Sequence, residues 1–171
     1  MTALARMIAT VAGVGLLPRA PGTWGSLVAL PLAWLVHSVG LVTIGGFALL
    51  ALASAGAFAK GLWAVERLHG DGTDPDKPEY VIDEVAGQWI ALLPVAYGAQ
   101  FAGVAFTALW PGWLAAFGLF RLFDIWKPWI IGQADRRGDS LGVMLDDVLA
   151  GIFAALGVMV LAVFAHLPVL L

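Results

Sequence analysis

The sequence predicts an all-α integral membrane protein, a helical bundle in which some helices are short, partly broken or re-entrant. Three observations lead there. Of the 171 residues, 61% are hydrophobic and 12% charged, where soluble domains carry about a quarter charged, and the mean hydropathy is +0.90. The apolar residues gather in three blocks, 27–59, 89–120 and 148–171, each at or above the roughly 20 residues that cross a bilayer. The charges lie between the blocks: apart from Arg6, every Lys, Arg, Asp and Glu falls in segments 13–26, 60–88 and 121–142 or at Asp146-Asp147. Helices follow because a chain in lipid must satisfy its backbone hydrogen bonds within itself. The length suits one membrane-embedded domain, residues 1–171.

Near the N-terminus, the apolar stretch Met7–Leu17 is too short to cross, and Pro18, Arg19 and Pro21 follow it in place of a small-residue cleavage site. It is expected to lie in the interface or re-enter the membrane, and not to be a cleaved signal peptide. Block 27–59 has length for an outward and a return pass or for a crossing with a broken partner, with the bend at Gly40 or Gly45-Gly46. Residues 60–79 read as a solvated loop. Block 89–120 also suits a hairpin, bent around Pro94–Gly98 or at Pro111-Gly112, and block 148–171 makes one crossing. Five crossings result. With two hairpins all four polar segments emerge on one side, and their Lys and Arg mark it as cytoplasmic.

Composition removes several classes of function. Without Cys there is no disulfide, zinc–thiolate site or cysteine nucleophile. A net charge of −3, with the basic residues scattered, leaves no patch for nucleic acid. His37 and His166 sit in apolar blocks and His69 in the loop, none at metal-ligand spacing from an acidic pair.

The chemistry lies in the polar punctuation. Asp83-Glu84 and Asp146-Asp147 each open an apolar block, and an acid near lipid costs about 2.5 kcal/mol or more unless it has a partner. Adjacent helical positions put the two carboxylates of a pair about 100° apart, so each pair can hold a cation between helices; the plainer reading is helix capping. The pairs echo one another: in Asp83-Glu84-Val85-Ala86-Gly87 and Asp146-Asp147-Val148-Leu149-Ala150-Gly151 a glycine follows one turn on, where it lets another helix come close. Arg121, Asp124 and Lys127 recur every third residue before Pro128, along one side of a helix. There Arg121 and Lys127 suit phosphate oxygens and Asp124 a metal, or the three form an internal salt bridge with Trp126 and Trp129 as interface anchors. Finally, Gly13 to Ser26 holds the glycines and hydroxyls of a backbone anion cradle leading into a helix.

Four ordered motifs, Pro18–Ser26, Val81–Gln88, Phe120–Trp129 and Gly142–Asp147 with Ala150-Gly151, resemble those of the phosphatidylglycerophosphatase A family over nearly the whole chain. Two departures are Ile130 in place of Pro and Asp139-Ser140-Leu141 in place of a more Gly-rich run. The resemblance implies a Mg²⁺-dependent phosphoric monoester hydrolase of phospholipid biosynthesis. It would convert phosphatidylglycerophosphate to phosphatidylglycerol and phosphate from the cytoplasmic face of a bacterial inner membrane. The expected site then has Asp83, Glu84, Asp124 and Asp147 as catalytic residues and Asp83, Glu84, Asp124, Asp146 and Asp147 around the metal. Arg19, Thr23, Ser26, Arg121 and Lys127 are expected to bind substrate.

A cation- or proton-coupled transporter is the competing reading, since it too would carry membrane acids. Position separates them: a transporter places acids within its spans, whereas these stand at block edges beside basic residues.

Overall fold

The computed structural model describes residues 2–69 and 75–170, and its regular elements are all helices. They are α1 (Thr2–Ala9), α2 (Pro21–Leu41), α3 (Gly46–Leu68), α4 (Ile82–Ala102), α5 (Trp110–Trp126), α6 (Ile130–Asp135) and α7 (Ser140–Leu170). Short 3₁₀ turns at Val14–Leu16 and Phe106–Leu109 precede α2 and α5.

Helix α1 is a single short element that lays Ala5 and Ala9 against Ala64 and Val65 of α3 and against Tyr80. Pro21 begins α2, a position where its missing N–H costs nothing. The anion-cradle loop expected up to Ser26 is therefore corrected: residues 21–26 are already helix. Gly45, at φ 99°, makes the reversal into α3, as block 27–59 suggested. In the second block the bend is not at Pro94–Gly98. Pro94 lies inside a continuous α4, which ends on Gly103 in the left-handed conformation at φ 65°, while Pro111 stands in the first turn of α5.

Among the described residues, four helical stretches are long and apolar enough to cross a membrane: Pro21–Leu41, Gly46–Leu68, Phe106–Trp126 and Ser140–His166. Helix α4, also 21 residues, is not among them. It runs through the middle of the bundle with eleven residues buried, against six in the equally long α2. Sheltered by α2, α3, α5 and α7, it can carry Asp83, Glu84 and Gln88 where a lipid-facing helix could not. The starts of α2, α4 and α7 and the ends of α3 and α5 share one end of the bundle, so the hairpins bring the polar segments together.

The most extensive packing between helices is α4 on α7. A Cβ on Gly151 would fall on the Gly87 backbone, and one on Gly87 would come within 2.5 Å of the Asp147 carbonyl oxygen and the Phe120 ring. Small residues set such close crossings, where apolar burial gives helices in lipid little preference for each other. Gly151→Leu is expected to lower stability by at least about 1–3 kcal/mol through overpacking. Gly118→Ala, whose Cβ meets open space, should be neutral; thermal melting in detergent compares them. For topology, single cysteines at Arg19, Lys77 and Arg136 should label from one side, and at Thr43 and Val104 from the other.

Candidate active site

The polar end of the bundle opens into a pocket of about 360 Å³. Helix α4 supplies Asp83 and Glu84 to it, α5 supplies Arg121 and Asp124, α6 supplies Asp135 and α7 supplies Asp146 and Asp147, with Lys127 between α5 and α6. Pro21 and Gly22 close one wall and the turn Asp76–Tyr80 another.

The two acidic pairs are built alike. Asp83 Oδ1 accepts the Glu84 backbone N–H at 3.0 Å, and Asp146 Oδ1 accepts that of Asp147 at 2.9 Å. Asp83 and Asp147 each stand four residues before the crossing glycine of their own helix, hence on the glycine's face. The crossing therefore turns both toward the same space. One carboxylate oxygen from each of Asp83, Glu84 and Asp147 lies within 4.8 Å of the others, and Glu84 Oε2 is buried without a hydrogen-bond partner. Three carboxylates so close repel one another when all are ionised, and the repulsion favours uptake of a proton or a cation.

The other two expected metal ligands carry cations in this structure. Arg121 Nη1 lies 2.5 Å from Asp124 Oδ2, one turn along α5, the internal salt bridge of the plainer reading. Arg121 also donates to Ser26 Oγ at 3.3 Å, tying α5 to α2. Lys127 Nζ lies 2.5 Å from Asp146 Oδ2 and also pairs with Asp135. Lys127 takes the left-handed conformation at φ 49° as the C-cap of α5, and Trp129 follows at φ 48°; left-handed backbone is unfavourable for residues with a Cβ. That turn aims the lysine back at α6 and α7. Burial lowers the Lys127 pKa, but the hydrogen bonds and charges of Asp135 and Asp146 outweigh it and hold the pKa above the ordinary lysine value. Lys127 stays an ammonium at any working pH, and its stabilising effect is lost only as pH rises through that raised pKa. Trp126 and Trp129, 65% and 70% exposed, flank it at the level where aromatic residues meet a membrane interface.

Of the expected residues on α2, Ser26 is fully buried, donates to the Gly22 carbonyl at 2.9 Å and touches the site through Arg121. Thr23 is half-buried off the pocket wall, and Arg19 is exposed just before Ala20, which lines it. The glycines of this motif serve packing: a Cβ on Gly22 would collide with the Glu84 carboxylate, and one on Gly25 would sit 2.8 Å from Val81 Cβ. Asp135 and the Lys77–Tyr80 turn were not read from sequence. Asp135 lies eight residues from Lys127 across a break between helices, and no helical spacing connects them.

Fold and site together define a polytopic helical membrane protein with a carboxylate-walled pocket at one end of its bundle. The chain belongs to the phosphatidylglycerophosphatase A family of phosphoric monoester hydrolases, whose family model matches residues 7–162. Two relatives carry that name: one of Haemophilus influenzae, 34% identical over 88% of this chain and 83% of its own, and one of Escherichia coli, 32% identical over 87% and 78%. A third, of Bacteroides thetaiotaomicron, is named a candidate phosphatidylinositol-3-phosphatase and is 36% identical over 86% of this chain and 87% of its own. No solved structure matches the chain.

Lys127→Ala leaves Asp146 buried without its cation. Removing one partner of a fully buried pair costs about 3–5 kcal/mol; the Lys127 side chain is 30% exposed, so about 1–3 kcal/mol is expected, read as a lower melting temperature, with Lys127→Arg intermediate.

Proposed function

We propose that this protein hydrolyses phosphatidylglycerophosphate to phosphatidylglycerol and inorganic phosphate, with Mg²⁺, as a step of phospholipid biosynthesis. The observation that carries the reading is the Asp83–Glu84–Asp147 cluster at the head of a pocket that also holds basic side chains. The donor set fits a hard divalent cation: the pocket offers carboxylates and, among the described residues lining it, neither thiolate nor imidazole, and one buried Glu84 oxygen lacks a partner. Asp83, Glu84 and Asp147 would hold the metal, with Asp124 and Asp146 beside them. Bound there, Mg²⁺ supplies charge neutralisation for the phosphoryl oxygens and lowers the pKa of water.

The chain's own groups do the rest. Arg121 and Lys127 orient Asp124 and Asp146 and offer their remaining N–H donors to phosphate oxygens. Asp124, steadied by Arg121, accepts a proton from the attacking water. The water oxygen forms the new P–O bond as the bond to the lipid glycerol oxygen breaks, and the proton that Asp124 took passes by way of solvent to that leaving oxygen, which restores the carboxylate. Polar segments rich in Lys and Arg favour a cytoplasmic site in the bacterial inner membrane. The transporter reading is not favoured, because the carboxylates that line the pocket cluster at one end of the bundle and, among the described residues, leave no acidic path through it.

The relatives' names divide between two lipid phosphomonoesters, and the family favours the glycerophosphate. Purified protein with Mg²⁺ should release phosphate from phosphatidylglycerophosphate faster than from phosphatidylinositol 3-phosphate; the reverse order changes the substrate, and release from neither overturns the reading. Asp147→Asn should cut kcat/KM by at least about 100-fold, beyond the usual loss for an outer-shell partner, and should weaken Mn²⁺ binding followed by electron paramagnetic resonance. Undiminished Mn²⁺ binding would remove Asp147 from the metal set.

A further inference from the structure

Among the described residues, three basic side chains line the pocket, Lys77, Arg121 and Lys127. Two are committed to carboxylates: Arg121 to Asp124, and Lys127 to Asp135 and Asp146. Lys77 makes no ion pair with the described residues, and its ammonium lies 5.9 Å from the centre of the Tyr80 ring. A cation–aromatic contact orients an ammonium without using up its hydrogen-bond donors.

The lysine is also held on a fixed base. Lys77-Pro78-Glu79-Tyr80 forms a turn closed by the Tyr80 N–H donating to the Lys77 carbonyl at 2.9 Å, with Pro78 at the position whose φ proline presets. Tyr80, 7% exposed, packs with Ala5 and Ala9 of α1 and Ala64 and Val65 of α3. The next residue, Val81, donates its N–H to the Ala9 carbonyl at 2.8 Å. The turn is thus anchored to α1 and α3 and presents Lys77 to the pocket.

Charge gives that placement its meaning. The pocket is lined by seven carboxylates against these three basic groups, a field that repels a dianion. An ammonium with free donors at the rim can draw a phosphomonoester in and take its oxygens by charge-assisted hydrogen bonds. A point charge on a flexible stem suits that better than a fork already locked on a carboxylate.

We infer that Lys77 receives the phosphate group of the substrate, and that Arg121 and Lys127 meet it only from within their ion pairs. This rests on the phosphatase reading above. The ligand chemistry is a phosphate dianion, whether on a lipid headgroup or free.

The test compares Lys77→Gln and Lys77→Arg with the unaltered protein, purified in detergent with Mg²⁺. The readouts are kcat, KM for phosphatidylglycerophosphate, the inhibition constant of inorganic phosphate and the phosphate-dependent rise in melting temperature. Lys77→Gln should raise KM and the phosphate inhibition constant together by about tenfold or more, as loss of a charge-assisted contact does. Its kcat should change less than about threefold, and Lys77→Arg should recover most of the loss. Unchanged KM with an active enzyme overturns the inference, as does a fall in kcat alone. A raised KM with an unchanged phosphate constant overturns it too, since the contact would then be elsewhere on the lipid. If the unaltered protein hydrolyses no lipid phosphomonoester, the functional reading fails by itself. Phosphate stabilisation present in the unaltered protein and lost in Lys77→Gln would still support the assignment of Lys77, and its persistence would overturn it.

Discussion

Gly87 of α4 and Gly151 of α7 meet backbone against backbone, and the separation they set governs the polar end of the molecule. Any side chain at either position would force the helices apart, and the carboxylates one turn above would move with them. Because Asp83 and Asp147 each share a face with the glycine four residues on, close packing below becomes close juxtaposition of negative charge above. Packing energy from the apolar length of the two helices thus holds together groups that would otherwise separate.

That repulsion explains much of what surrounds the cluster. Arg121 is set against Asp124, and Lys127 between Asp135 and Asp146, so two of the five acids foreseen as ligands are balanced within the chain. The other three, Asp83, Glu84 and Asp147, face one another across the helix crossing. Lys127 reaches its position only because the chain turns through a left-handed residue at the end of α5. The conformational cost at Lys127 and Trp129 is offset by ion pairs that a regular helix could not have made.

The central place of α4 reconciles polar chemistry with a lipid setting. Enclosed by α2, α3, α5 and α7, it exposes little to the bilayer, so its first turn can be acidic and its second can carry the fully buried Gln88. The outer helices take the lipid contact, with exposed Leu52, Leu114 and Val163 among their apolar residues. Helix α4, which carries the most chemistry, is therefore the long central helix that hydropathy does not mark as a span.

The sequence alone determined the class and the main acidic groups and marked where the long blocks could reverse, because each is a local property: apolar length, glycines at Gly40 and Gly45-Gly46, adjacent carboxylates at a block edge. It also held the clue to the crossing, in the glycine that follows each acidic pair by one turn. Local pattern misled at Pro94, where surrounding helices keep α4 continuous, and at Gly22 and Gly25, whose small size serves packing against Glu84 and Val81. What only the tertiary structure decided was how the charges divide: which carboxylates face one another, which are claimed by Arg121 and Lys127, and that Asp135 and Lys77 belong to the same pocket. Those pairings join residues on different helices and loops, whose separation depends on how close two backbones come, and no spacing along one chain encodes that distance.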